Sequence, residues 1–179
     1  MEFIPFPTLL PKIAEKEISR VLVENRENLP DGWYVFTPSF CADKKCDCRR
    51  AFINVFIFEE EIPQPLKAAT ISYGWEPRSF YQKWGEGFVD DDQINNLKGP
   101  VLEQFQPQSR YAREVLDLFI DGIISNPEYV NHLKRHYVYF KYKRKMKMPT
   151  DLLKLINTVG DCPCGSGKIF RMCCGKVRR

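Results

Sequence analysis

Trp33-Tyr34-Val35-Phe36-Thr37 and Arg50-Ala51-Phe52-Ile53-Asn54-Val55-Phe56-Ile57-Phe58 are the stretches that decide the fold. Both are dense in β-branched and aromatic side chains, which suit a pleated, half-buried surface, and both read as strands. Leu66 to Tyr73 supplies a third. The simplest arrangement of the three is a small antiparallel sheet. The loop between the first two strands holds Cys41, Cys46 and Cys48.

Upstream, Pro5, Pro7 and Pro11 among bulky apolar residues predict an extended segment over residues 3–11. Ile13, Ile18, Val21 and Leu22 recur at roughly helical spacing, so a helix is expected from Lys12 to about Glu27. Leu29-Pro30-Asp31-Gly32 then turns the chain into the first strand. Beyond the sheet, Gly74 to Pro107 reads as irregular, with one short helix after Pro77. Asp90-Asp91-Asp92 is expected to be a solvated acidic loop, since no EF-hand spacing surrounds it.

Two helices with clearer signals follow. Ser109 is placed as the N-cap for an apolar face of Tyr111, Val115, Leu118, Phe119 and Ile123. Asn126-Pro127 gives a cap and a first-turn proline for the second helix. Its inward stripe is Tyr129, Leu133, His136, Tyr137 and Phe140, with Lys134, Lys141, Arg144 and Lys145 mostly on the other faces. Residues 150–157 are a short helical or extended connector into a cysteine-rich terminus. The class is therefore α+β. A small antiparallel sheet packs with several helices over residues 1–149, and residues 150–179 form the connector and a metal knuckle.

An apolar share of 44% with 13% aromatics places the chain among globular proteins. No apolar run is long enough for a membrane-spanning helix, and Met1 to Pro7 lacks the basic and apolar regions of a signal peptide. A cytoplasmic, reducing setting is expected. Seven cysteines there read as thiolate ligands or free thiols. Residues 1–125 hold 14 Lys and Arg against 20 Asp and Glu; residues 126–179 hold 13 against 3. A body of net −6 thus carries a C-terminal part of net +10. That asymmetry fits either a solvated helix with a basic tail or an electrostatic surface for an acidic partner.

The terminus reads Asp161-Cys162-Pro163-Cys164-Gly165-Ser166-Gly167-Lys168-Ile169-Phe170-Arg171-Met172-Cys173-Cys174-Gly175. Two thiol pairs flank a glycine-rich loop, which can fold Cys162, Cys164, Cys173 and Cys174 onto one Zn2+ as a closed tetrahedral site. Gly165 and Gly167 permit the tight turn, their N–H groups are expected to support the sulfurs, and Phe170 to cover the site. A phosphate-binding loop is excluded, because Ile169 stands where a Walker A motif needs Ser or Thr. With every position filled by protein, the metal has no place for activated water.

This segment resembles the SEC-C motif, the zinc knuckle at the C-terminus of the SecA protein-translocation motor and in many other bacterial proteins. The resemblance rests on the four cysteines with Pro163, Gly165, Ser166, Gly167, Lys168, Phe170 and Gly175. In SecA the similar knuckle contacts the acidic chaperone SecB and the ribosome, so the resemblance implies those partner classes. The contact residues would be Lys168, Arg171, Lys176, Arg178 and Arg179.

Cys41-x4-Cys46-x-Cys48 has two readings, three unliganded thiols or a second metal site. Three ligands leave a vacancy, and His136 on the inward stripe is a candidate to fill it. Tyr/Phe-Cys followed by Cys-Asp-Cys-Arg-Arg, then Leu133-Lys134-Arg135-His136-Tyr137 and the knuckle, is similar to a group of bacterial SEC-C-containing proteins. That wider resemblance favours a Cys41, Cys46, Cys48, His136 zinc site and brings no activity with it.

Function is expected to be protein binding or an adaptor role through the basic knuckle. The alternative is nucleic-acid or ribosome binding along Lys134 to Lys147, where seven of fourteen residues are Lys or Arg and Tyr137, Tyr139, Phe140 and Tyr142 are interleaved. An enzyme is the weaker reading. No Ser-His-Asp order, His-Glu-x-x-His or recognisable carboxylate pair is present.

Overall fold

The structure is a computed structural model that describes residues 2–59, 63–87, 89–156, 162–164 and 166–176. Asp161, Gly165, Arg178, Arg179 and the end of the expected connector at Asn157 lie outside the described residues. The strands are β1 (Phe3–Pro5), β2 (Ser19–Val23), β3 (Gly32–Cys41), β4 (Arg50–Phe58), β5 (Leu66–Gly74) and β6 (Val101–Leu102). They form one antiparallel sheet in which β3, β4, β5 and β6 run side by side, and β1 and β2 both pair with β3.

Period-two alternation puts one face of the sheet inside. Phe36, Val55 and Ala69 form one cross-strand row, Pro38, Ile53 and Ile71 the next, and Phe40, Ala51 and Tyr73 a third. Every member of these rows is buried. Pro38 extends the expected strand rather than ending it. It falls where β3 has no neighbour on one side, since β2 pairs up to Phe36 and β1 begins at Ser39. A proline is tolerated at such an interruption of the ladder.

The helices are α1 (Phe6–Leu9), α2 (Pro11–Glu17), α3 (Arg78–Trp84), α4 (Asp91–Lys98), α5 (Ala112–Leu118), α6 (Pro127–Lys143) and α7 (Thr150–Ile156). α5 continues as a wider π-helical run, Phe119–Ile124. Residues 3–11 are thus a three-residue strand followed by helix, not an extended segment. The expected helix from Lys12 stops at Glu17. Ser19–Val23 pairs residue for residue with Phe36 back to Gly32, so the open edge of β3 overrides the helical spacing of Val21 and Leu22. The aspartate run starts a helix: the Asp90 carboxylate accepts from the Gln93 N–H, and the Gln93 side chain accepts from the Asp90 N–H in return.

α6 is the hub. Asn126 caps it by accepting from the Glu128 N–H, and Pro127 follows at the first turn, as expected. Residues Arg135 to Lys141 are all buried, seven in succession. A helix with one apolar stripe cannot bury two full turns, so α6 must be covered on every side. Phe40 of β3 and Trp75, just past the end of β5, meet Tyr137 with ring centroids 5.6 and 5.1 Å away. Phe6 of α1 stacks on His136 at 4.2 Å, and Phe170 of the terminal segment lies 5.4 Å from both Tyr139 and Tyr142. No helix among the described residues is long and apolar enough to cross a membrane.

Candidate metal centres

At the terminus, the Sγ atoms of Cys162, Cys164, Cys173 and Cys174 all lie within 4.8 Å of one another. Cys164 and Cys173 are 3.5 Å apart, and Cys173 and Cys174 4.0 Å. A tetrahedral ion with bonds of about 2.3 Å to sulfur requires sulfurs about 3.8 Å apart, so the four thiols fit one such ion. Backbone geometry brings the pairs together: the Cys162 N–H donates to the Lys168 carbonyl at 2.7 Å, and the Gly175 N–H to the Phe170 carbonyl at 2.7 Å. Gly167 adopts φ +67°, the left-handed region that suits glycine. A Cβ on Gly175 would stand 2.7 Å from the Phe170 ring, so this position needs glycine for close approach.

Gly165, one of the two expected donors, lies outside the described residues, and among those described other groups support the sulfurs. Cys162 accepts from the N–H groups of Cys164 and Cys174, and Cys164 accepts from the N–H of Ser166. The Ser166 hydroxyl lies 3.2 Å from the Cys173 sulfur, and the Tyr142 hydroxyl of α6 bonds Cys174. Hydrogen bonds led by Ser166 draw the Cys164 thiol down to about 6, favouring the thiolate form that binds metal. Phe170 is 1% exposed, inserts against α6 and packs in the same buried cluster as Cys162, with Cys173 and Cys174 against it, and so fastens the knuckle to the core.

The second group lies where β3 ends. Sγ atoms of Cys41, Cys46 and Cys48 converge within 4.8 Å, with Cys41 and Cys48 buried and Cys46 half-buried. Here too the sulfurs accept from the backbone two residues ahead, Cys41 from Asp43 and Cys46 from Cys48. This is the local geometry of Cys162 and Cys164, repeated in an unrelated part of the chain. Hydrogen bonds from the other two thiols draw the Cys41 thiol down, while the same contacts push the Cys48 thiol up.

His136 does not complete this group, contrary to expectation. Its Nε2 lies 2.8 Å from Glu17 Oε2, and the same oxygen accepts from Arg135 at 2.6 Å. The reason is helical: at 3.6 residues per turn, His136 points about 100° away from Tyr137, toward α1 and α2. Burial holds the imidazole neutral, so Nε2 donates to the carboxylate while Arg135 supplies the permanent charge. Burial alone would raise the Glu17 carboxyl; hydrogen bonds from His136 and Arg135 outweigh it and hold it down to about 2. The folded value is depressed, so this stabilisation is complete above about pH 4.5 and is lost as pH falls from 4.5 toward 2. With the imidazole neutral and Glu17 partly solvated, it amounts to roughly 1–3 kcal/mol. Urea unfolding of the wild type and Glu17→Gln at pH 7 and pH 3 should show the gap between them narrowing in acid; a gap independent of pH would contradict this.

What faces the three cysteines from α6 is Lys141, expected on an outer face but 1% exposed. Its Nζ donates to the Cys46 carbonyl at 2.7 Å, lies 3.9 Å from Asp47 Oδ1 and sits over the Tyr137 ring at 4.9 Å. The Tyr137 hydroxyl donates to the same Asp47 oxygen at 2.8 Å. A signal existed, because Leu133, Tyr137 and Lys141 follow at successive intervals of four and share one helix face. Arg49 was also missed. It adopts φ +47°, and its guanidinium grips both Asp151 oxygens, at 2.7 and 3.0 Å, tying the cysteine loop to α7.

Among the expected contact residues, Lys168, Arg171 and Lys176 are exposed. The aromatic residues proposed for base stacking are not accessible for it: Tyr137, Tyr139 and Phe140 are at most 1% exposed, and Tyr142 is half-buried against Phe170. The chain matches no family model, no curated protein and no solved structure.

Proposed function

We propose that this chain is a zinc-binding protein whose terminal knuckle is a docking module for an acidic protein. The convergence of four thiols at separations suited to one tetrahedral ion carries the reading. Zinc is the ion of choice for such an all-sulfur set, and four protein ligands make the site structural, not catalytic. Three cations, Lys168, Arg171 and Lys176, are exposed on a clip that Phe170 anchors to the core. A rigid basic clip suits recognition of a negatively charged surface. The resemblance to the SEC-C knuckle supplies the partner class, an acidic chaperone such as SecB.

Titration of SecB with the zinc-loaded chain at low salt should give binding that weakens steeply as salt is raised. Lys168→Glu, Arg171→Glu and Lys176→Glu together should abolish it while zinc content is unchanged. Binding that persists after removal of residues 160–179 excludes the knuckle as the docking element. The three-cysteine loop is read as a second zinc site within the same protein.

A further inference from the structure

We propose that the Cys41, Cys46 and Cys48 group holds its metal with an open fourth position, taken by water or another neutral donor, and that the ammonium of Lys141 offsets part of the negative charge there. The inference rests on the two-site reading above and goes further, to coordination number and ligand class.

Among the described residues no fourth His, Cys, Asp or Glu joins the three sulfurs. The nearest acids are engaged elsewhere. Asp47 takes Tyr137, Arg49 and Lys141, and Asp43 accepts from the Lys45 N–H at 2.9 Å. His136 is spent on Glu17. Three protein ligands with a vacancy is the arrangement of zinc sites that exchange a ligand, in contrast to the closed terminal set. Cys41 and Cys48 are buried and Cys46 is not, so the group meets solvent on the Cys46 side.

Charge decides the class of ligand. A divalent ion with three thiolates carries one net negative charge, and burying it is costly unless it is paired. Lys141 supplies one positive charge from a fully buried position against the same loop. The Asp47 carboxylate, 3.9 Å from the same ammonium, adds a further negative charge, so a neutral fourth donor is accommodated, whereas an anion would add to a negative charge already in excess beside a buried face. The terminal site differs on each count: it has four sulfurs, and cations that stand free at the surface.

Co2+ is the probe, in the full chain carrying Cys173→Ser and Cys174→Ser to disable the terminal set. The variant should bind one Co2+ and show tetrahedral d–d bands with a thiolate charge-transfer band of three-sulfur intensity. Imidazole should shift the d–d bands saturably without releasing cobalt. The reciprocal variant, Cys41→Ser with Cys48→Ser, should hold cobalt at the terminus with bands that imidazole does not move. Cobalt that binds to the first variant but ignores imidazole overturns the open position and leaves the two-site reading standing. A variant of unchanged circular dichroism that binds no cobalt overturns both. If either variant fails to fold, wild type loaded with two cobalt ions discriminates equally, because imidazole must then perturb one ion and spare the other; perturbing neither overturns the proposal.

Discussion

On the proposed reading, removal of zinc by a chelator is expected to release the terminal knuckle from α6 while the sheet and its helices stay folded. The described part of the knuckle, residues 162–164 and 166–176, buries only Cys162 and Phe170. Burying a phenylalanine is worth about 3–5 kcal/mol, judged from truncation to alanine. Ordering about a dozen residues costs on the order of 1–2 kcal/mol each, so apolar burial alone cannot hold the segment. A structural zinc of the proposed kind would contribute roughly 10–16 kcal/mol of apparent binding free energy, enough to make up the difference. Amide hydrogen exchange tests this directly. The Cys162 and Gly175 N–H groups, bonded to Lys168 and Phe170, should be protected with zinc and should exchange freely without it. Protection that survives full removal of metal would refute the argument. Phe170→Ala should behave differently, loosening the knuckle from Tyr139 and Tyr142 while zinc remains bound.

Lys141→Met is expected to cost both stability and metal retention. Methionine matches the length and leaves the packing nearly intact, but it strips the Cys46 carbonyl of its donor and the cysteine loop of its buried positive charge. Removing one partner of a buried charged pair typically costs about 3–5 kcal/mol. The loss should appear in urea unfolding, and also as zinc surrendered from the first group to a chromophoric competitor at lower concentration. Lys143→Met, on the exposed face of the same helix, is the control and should move stability by no more than about 0.5 kcal/mol. Equal zinc retention in wild type and Lys141→Met would remove Lys141 from the metal site.

The sheet was legible where side chains alternate over a long run. Arg50 to Phe58 reads as a strand from its own residues, and the structure ends it at the same positions. Ser19 to Val23 did not read so, because five residues with mixed spacing take their conformation from the free edge of β3. Pro38, beyond the expected strand, is accommodated for a similar reason: whether a proline interrupts a strand depends on whether a neighbour needs its N–H there. The expected helix stripe was right about its inward residues and incomplete about the rest. Arg135 and Lys141 are inside because α6 is enclosed by α1, the cysteine loop and the terminal segment as well as by the sheet.

Both thiol groups were determined by sequence alone, because their members lie within thirteen residues at the terminus and eight at the loop. At such short range spacing and backbone turns bring the sulfurs together, and the same N–H support recurs in each. What each group faces was decided only by tertiary structure. Lys141 meets Cys46 across 95 residues, His136 finds Glu17 across 119, and Arg49 reaches Asp151 across 102. The first two pairings follow from burying every side of α6 at once, and buried charges must then take whatever partner the packing presents.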